Sequence, residues 1–244
     1  MPNEEHVKWY SHRMGRDMDV LVHGHAGAPV IICPSSWGHY YEWKDFLMVE
    51  TLADKLDAGH IQLFGIDSHC ADSWYNDQIP PRERVRRHNV WEDYVLSEVV
   101  PFIWNSCRGR VGIITAGASL GAFHCANQLF RRPDLFEGMI AMSGSYDIRG
   151  YYDGDYYDDN VYYNNPVDYL PNLGGHDLWL LQQKRHIHIV TGQGDYENPD
   201  ASRRLAGILY NKGITYELDL WGYDMPHDWP TWRAMLRYYL SEKF

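Results

Sequence analysis

Gly117-Ala118-Ser119-Leu120-Gly121 is a G-x-S-x-G stretch between an apolar run ending at Thr115 and a helically patterned segment starting at Leu120. A serine at so sharp a strand-to-helix turn is held strained at the strand tip, its hydroxyl pointing into a cleft. The flanking glycines leave room for the backbone to double back. The amides and positive dipole of the following helix are then offered to an oxyanion. Ser119 is the candidate nucleophile. A tight turn with an idle serine is the bland alternative.

Serine needs a base, and the base needs an orienting acid. With this elbow the expected chain order is Ser, then Asp or Glu, then His. The run His186 to Thr191 is followed by Gly192-Gln193-Gly194-Asp195-Tyr196-Glu197. Asp195 lies nearest the strand end and is the first choice of acid; Glu197 is its rival. Either could instead be a carboxylate at the N-terminus of the next helix. After Leu220, His227 sits in the loop before the last helix and is the candidate base. His124, five residues after the serine, is expected to pack inside a helix.

Acyl transfer also needs two oxyanion donors. One is the amide of Leu120; the other is expected from Ser36 or Trp37, in the loop after Val30–Cys33. His23/His25 and His186/His188 are H-x-H pairs, each with both members on one strand face. No third ligand accompanies them along the chain, so no metal is expected, and the chemistry needs no organic cofactor. The run Tyr151 to Tyr163, rich in Tyr and Asp, lacks the ligand spacing of an EF-hand loop. It reads as a solvated acidic loop or as a lid over Ser119, with Tyr151, Tyr152 and Trp37 as substrate-binding rings.

The elements that must position these groups follow from periodicity. Residues 7–13 and 17–23 read as an antiparallel hairpin turning at Gly15. Val30–Cys33, Ile61–Ile66, Arg110–Thr115, Gly138–Met142, His186–Thr191 and Thr215–Leu220 read as strands. Residues 45–57, 82–106, 120–131, 199–212 and 229–243 read as helices, with Pro101 kinking the second or starting a new turn. Residues 145–175 read as irregular. Strands alternating with helices from residue 28 predict a mostly parallel α/β sheet with helices on both faces and chemistry at the strands' carboxyl ends.

Composition sets the outer limits. The chain has 244 residues, 22 Lys plus Arg against 33 Asp plus Glu, and a net charge of −11. Nucleic acid and anionic membrane surfaces are therefore poor partners. With 45% hydrophobic residues, one domain over 1–244 can bury a core unaided, 145–175 being a lid-like insertion. Cys33, Cys70, Cys107 and Cys125 form no C-x-x-C pair and read as free thiols in a reducing compartment. The polar N-terminus has no signal-peptide core and no apolar run could span a bilayer, so a cytoplasmic location is expected. Self-association is left open. Aromatics reach 15%, more than such a core needs, so some rings are expected to line a cleft.

The ordered set resembles a family of α/β-hydrolases, the esterase family that includes feruloyl esterase modules, S-formylglutathione hydrolase and the mycolyltransferases. The resemblance runs from about residue 17 to the end. It is carried by TAGASLGAFHCANQLFRRPDLFEGMIAMSGSYD around Ser119, then NPVDYLPNL, GQGD and WGYDMPHDWPTWR. It maps nucleophile, base and usual acid loop onto Ser119, His227 and Asp195. The family's His-Gly after the first buried strand is Pro34-Ser35 here, and its glycine-rich oxyanion loop is Ser36-Trp37. What it implies is an α/β-hydrolase fold and hydrolysis of a small or carbohydrate-linked ester, with an aromatic acyl group suggested by the rings. An acyltransferase with the same triad and a non-catalytic binding protein of this fold are the alternatives.

Overall fold

The computed structural model describes residues 3–152 and 155–242. Eight strands form one sheet: β1 (Glu4–Ser11), β2 (Arg16–His23), β3 (Ala28–Cys33), β4 (Ile61–Ile66), β5 (Ile113–Ala118), β6 (Phe136–Met142), β7 (His186–Thr191) and β8 (Glu217–Leu220). Their order is β1-β2-β4-β3-β5-β6-β7-β8. The β1–β2 hairpin and the β2–β4 pair are antiparallel, and the remaining pairs are parallel. The helices are α1 (Pro81–Tyr94), α2 (Val100–Ser106), α3 (Leu120–Arg131), α4 (Gly175–Gln183), α5 (Pro199–Asn211) and α6 (Trp229–Glu242). This is the α/β-hydrolase fold.

The central strands are buried on both faces, which is why they read as unbroken apolar runs. Successive side chains point to opposite faces. Ile31 and Cys33 join a core with Trp91, Val99, Leu129 and Leu205 on one face. Val30 and Ile32 join Trp43, Leu52, Trp232, Met235 and Tyr239 on the other. Each fully buried aliphatic side chain contributes about 1.5–3 kcal/mol. After β3 the chain turns one way to β4 and later the other way to β5. The crevice between β3 and β5 is thus a topological switch point, where parallel sheets present their sites.

Several expectations need correction. The region 45–57 is not one helix. It is broken into short turns at Glu42–Asp45, Glu50–Leu52 and Ala53–Asp57, with Leu47 at positive φ interrupting the spiral. Residues 81–106 stay helical throughout. A wide π turn over Val95–Val99 precedes Pro101, so the proline's missing N–H and ring are absorbed without ending the helix. β5 begins at Ile113 and runs on to Ala118, because Arg110 to Gly112 lie outside its ladder. β8 spans only Glu217–Leu220. The segment 145–175 carries short helical turns at Ile148–Tyr151, Asp159–Tyr162 and Pro166–Tyr169. Two of them are capped by Asp147 and Asp158, whose side chains accept from Arg149 N and Val161 N. Asp153 and Gly154 of the Tyr/Asp-rich run, and Lys243 at the end expected for the last helix, lie outside the described residues. Among the described residues all four cysteines are free and no helix is long and apolar enough to cross a membrane.

A close backbone approach joins α3 to β3. A Cβ on Gly121 would sit 2.3 Å from the Cys33 carbonyl oxygen, and one on Gly117 2.8 Å from it. Both obstacles are backbone, so neither yields cheaply. Gly121→Ala is expected to lower stability by about 1–3 kcal/mol, read as a lower urea midpoint, with activity falling too. Gly150→Ala, where a Cβ meets open space, should leave the midpoint unchanged. Equal midpoints for the two variants would contradict the packing argument.

Candidate active site

Ser119 caps α3 with φ 56° and ψ −118°, a conformation that side chains rarely adopt. Its amide donates to Met142 O at 2.9 Å, and its own carbonyl accepts from Ala122 N at 3.1 Å. The bend is therefore pinned to β6 on one side and started into the helix on the other. Among the described residues six non-glycines have positive φ, and four of them are Trp37, Ser119, Ser143 and Tyr196. All four follow the carboxyl ends of strands. Such strain costs of order 1–3 kcal/mol per residue and persists only where surrounding contacts over-determine it.

His227 lies in the loop before α6, a quarter exposed, with Nδ1 3.3 Å from Glu197 Oε2. The acid that meets the histidine is thus Glu197, and the preference for Asp195 is corrected. The reason is the path of the loop. Tyr196 takes φ 64°, so the side chains on either side of it diverge. Asp195 points to solvent and offers only its carbonyl, which accepts the His227 amide at 2.9 Å. Glu197 turns back beneath the strand ends, its side chain wholly shielded. There it accepts from Ser143 Oγ at 2.5 Å, Thr191 Oγ1 at 3.0 Å and Gly192 N at 3.2 Å. Burial pushes its carboxyl up, but the hydrogen bonds from His227, Ser143 and Thr191 outweigh burial and hold it below the usual range. With Nδ1–H given to the carboxylate, Nε2 carries the imidazole's lone pair.

The acid and base loops are stitched together. Gln193 N donates to Gly222 O and Gly194 N to Met225 O, at 3.2 and 3.0 Å. A Cβ on Gly192 would lie 2.0 Å from Met225 O. Trp232, one turn into α6, sets its ring edge against His227 at 5.0 Å and donates Nε1–H to Ser143 Oγ at 3.0 Å. Ser143, Thr191 and Trp232 did not figure among the expected site residues. The signal available for the first two was a hydroxyl residue at the tip of a buried strand.

The loop after β3 is held by Glu42, another residue the sequence reading did not single out. Its buried carboxylate accepts from Ser35 N at 2.7 Å and Ser35 Oγ at 2.8 Å. It lies so close to Gly38 that a Cβ there would meet it at 1.9 Å. Burial raises the Glu42 carboxyl to about 7. Of the two candidates for the second oxyanion donor, Trp37 has its amide directed at Cys70 Sγ, 3.2 Å away. The Ser36 amide donates to no protein group among the described residues. The Leu120 amide is in the first turn of α3, where no intrahelical acceptor exists.

Aromatic rings wall one side. Trp37, 61% exposed, stacks on Tyr75 at 5.0 Å; Tyr75 meets Tyr151 edge-on at 6.1 Å and shares a 2.7 Å hydrogen bond with Ser36 Oγ. A cavity of about 270 Å³ opens beside them, bordered by Ser36, Trp37, Phe46 and Trp229. Tyr152 does not join this wall. It is 5% exposed and packs with Ile148 and Val161, which takes it out of reach of a substrate. His23 faces Glu4 while His25 is exposed beyond β2, and His188 contacts Glu217 and Tyr239. His124 is buried in α3, as expected.

The family model described as "Putative esterase" matches residues 11–241. The chain belongs to this esterase family. No curated protein sequence matches. Among solved structures, a ferulic acid esterase superposes with TM-score 0.75 at 17% identity, covering 98% of this chain and 96% of its own. An S-formylglutathione hydrolase from Agrobacterium tumefaciens gives 0.72 at 12% identity, with coverages of 98% and 93%. Mycobacterium tuberculosis MPT51 gives 0.70 at 17%, with 99% and 98%. At these identities the likeness is one of fold. For this esterase the two loop carboxylates are separable by experiment. Glu197→Gln is expected to lower kcat by about 10²–10⁴-fold with KM little changed, and Asp195→Asn to stay within about threefold of wild type. The reverse ranking in steady-state kinetics would return Asp195 to the role.

Proposed function

We propose that this carboxylic ester hydrolase works through an acyl-enzyme on Ser119, with His227 as base and Glu197 as the group that orients it. The observation that carries the reading is the shielded Glu197 carboxylate on His227 Nδ1 beyond β7 and β8, with Ser119 held in an elbow after β5, at the same end of the sheet. His227 Nε2 takes the Ser119 proton as Oγ attacks the ester carbonyl. The carbonyl oxygen becomes an oxyanion, held by the amides of Leu120 and Ser36. His227 then protonates the leaving alcohol. In the second half it takes a proton from water, which attacks the acyl-enzyme, and returns that proton to Ser119 Oγ as the acyl bond breaks and the acid leaves. Glu197 stays ionised throughout and stabilises the imidazolium that forms twice per cycle.

The substrate is a small or carbohydrate-linked ester, and the Trp37–Tyr75 stack favours an aromatic acyl group. A flat ring gains offset-stacking energy of about 0.5–1.5 kcal/mol beyond area burial. The tyrosines at 145–175 act in this reading as a side wall, through Tyr151 alone, within a single hydrolase domain.

Hydrolysis of p-nitrophenyl acetate and of an aromatic p-nitrophenyl ester, with intact-mass detection of a fluorophosphonate adduct, tests both parts. Wild type should turn over and gain one adduct. Ser119→Ala should lose about 10³-fold or more in kcat/KM and gain none. Trp37→Ala should raise KM for the aromatic ester about three- to tenfold, with little change for acetate. A folded wild type that neither labels nor turns over would favour a binding role. Acyl transfer to an added alcohol outrunning hydrolysis would make the enzyme a transferase.

A further inference from the structure

A second cluster of reactive groups lies behind the nucleophile helix, apart from the triad. His88 and Glu92 sit one turn apart on α1, and His124 faces them from α3. The three residues are 1%, 3% and 4% exposed. One ligand-type atom from each lies within 4.8 Å of the other two, and His88 Nε2 is 3.3 Å from Glu92 Oε1. His88 Nε2 and His124 Nδ1 have no hydrogen-bond partner among the described residues. Glu92 Oε1 receives one long contact, 3.4 Å from Asn127 Nδ2, and no Lys or Arg nitrogen lies within 4 Å of the carboxylate among those residues. Trp74 and Trp91 close over the two imidazoles with ring centroids at 4.6 Å, and Phe123 packs beside both.

Two imidazole nitrogens and a carboxylate converge here with only the long Asn127 contact as a donor, an arrangement that burial penalises, since each unsatisfied group forfeits its hydration. A dication at their centre removes the penalty at once. It takes both nitrogen lone pairs and neutralises the carboxylate. Two His and one Glu is a donor set that zinc takes. Ligands about 2.0–2.1 Å from a tetrahedral ion stand about 3.3–3.4 Å apart, which the His88–Glu92 pair already matches. His124 brings its ligand atom within 4.8 Å of the other two. Calcium and magnesium call for oxygen ligands and fit poorly.

We infer that His88, Glu92 and His124 form a structural site for a zinc-class divalent ion, tying α1 to the helix that begins at Ser119. The role is structural because the ion would lie under an aromatic shell, about 7–8 Å along α3 from the nucleophile at 1.5 Å per residue. His124 and the i, i+4 pair are 32 residues apart in the chain, so no spacing motif announces the site.

The inference is independent of the esterase chemistry, and the Ser119→Ala background serves to show that. Protein expressed with added zinc should carry about one zinc per chain by plasma mass spectrometry, in wild type and in Ser119→Ala alike. Glu92→Gln and His124→Asn should fall below about a tenth of that. Refolding from chelator into Co²⁺ should give wild type the visible d–d bands of a tetrahedral site. Adding Zn²⁺ back should raise its Tm by about 4 °C or more. If a variant fails to fold, the cobalt spectrum and Tm shift of wild type decide alone. Metal-free wild type with no cobalt bands and no Tm response overturns the proposal, as does zinc retained by folded Glu92→Gln or His124→Asn.

Discussion

A carboxylate with no exposed surface organises the catalytic end of the sheet. Glu197 can remain charged there only if donors surround it, and they arrive from the carboxyl ends of β6, β7 and β8 and the loops that follow them. Ser143 comes from the end of β6, Thr191 and Gly192 from the end of β7, and His227 from beyond β8. Removing any donor leaves charge unpaired in a low-dielectric pocket, which costs more than the bond itself is worth. The network therefore sets the relative height of the strand tips. Ser119 is positioned through the same tips, since its amide is bonded to Met142, next to Ser143.

A second buried carboxylate does the corresponding work on the opposite side of the crevice. Glu42 binds Ser35 twice, and the loop it holds places Ser36 beside the elbow. Gly117 and Gly121 let the elbow close against Cys33 and Pro34. The Leu120 and Ser36 amides proposed as oxyanion donors thus come from segments in backbone contact, one in α3 and one just past β3. Donors fixed in this way need no reorganisation when charge develops on the substrate oxygen, and preorganisation of that kind is the largest electrostatic contribution to acyl transfer.

The strands, the elbow and the base loop were legible in the sequence because each leaves a local trace. Buried parallel strands are short apolar runs, the elbow is two glycines around a serine, and His227 is the histidine between the last strand and the last helix. The choice between Asp195 and Glu197 left none. Proximity to the strand end favoured Asp195, whereas the side-chain direction depends on the positive φ of Tyr196 and on glycine contacts to Met225. Those contacts come from a loop about thirty residues away. Glu42 was hidden for a similar reason, since a carboxylate in a broken helical turn reads as solvated until the fold buries it. Tyr152 failed in the opposite direction. An aromatic in an acidic run looks like a cleft residue, yet its ring fills a satellite core with Ile148 and Val161.

That satellite core links the tyrosine-rich segment to the helix that begins at Ser119. It contains Leu120 and Phe123 from the first turn of α3 together with Cys70, Trp74 and Val85. Leu120 is therefore packed with Trp74 and Phe123, which also lie against His88. Leu120 is held in front by the elbow and behind by this aromatic layer, so its amide direction is set by packing on both sides. Tyr151 belongs to both layers, touching Trp74 and Phe123 on one side and Tyr75 on the other. The segment 145–175 is thereby coupled to the nucleophile helix through buried rings. A rearrangement there would have to disturb the packing of Trp74, Leu120 and Phe123 at the start of α3.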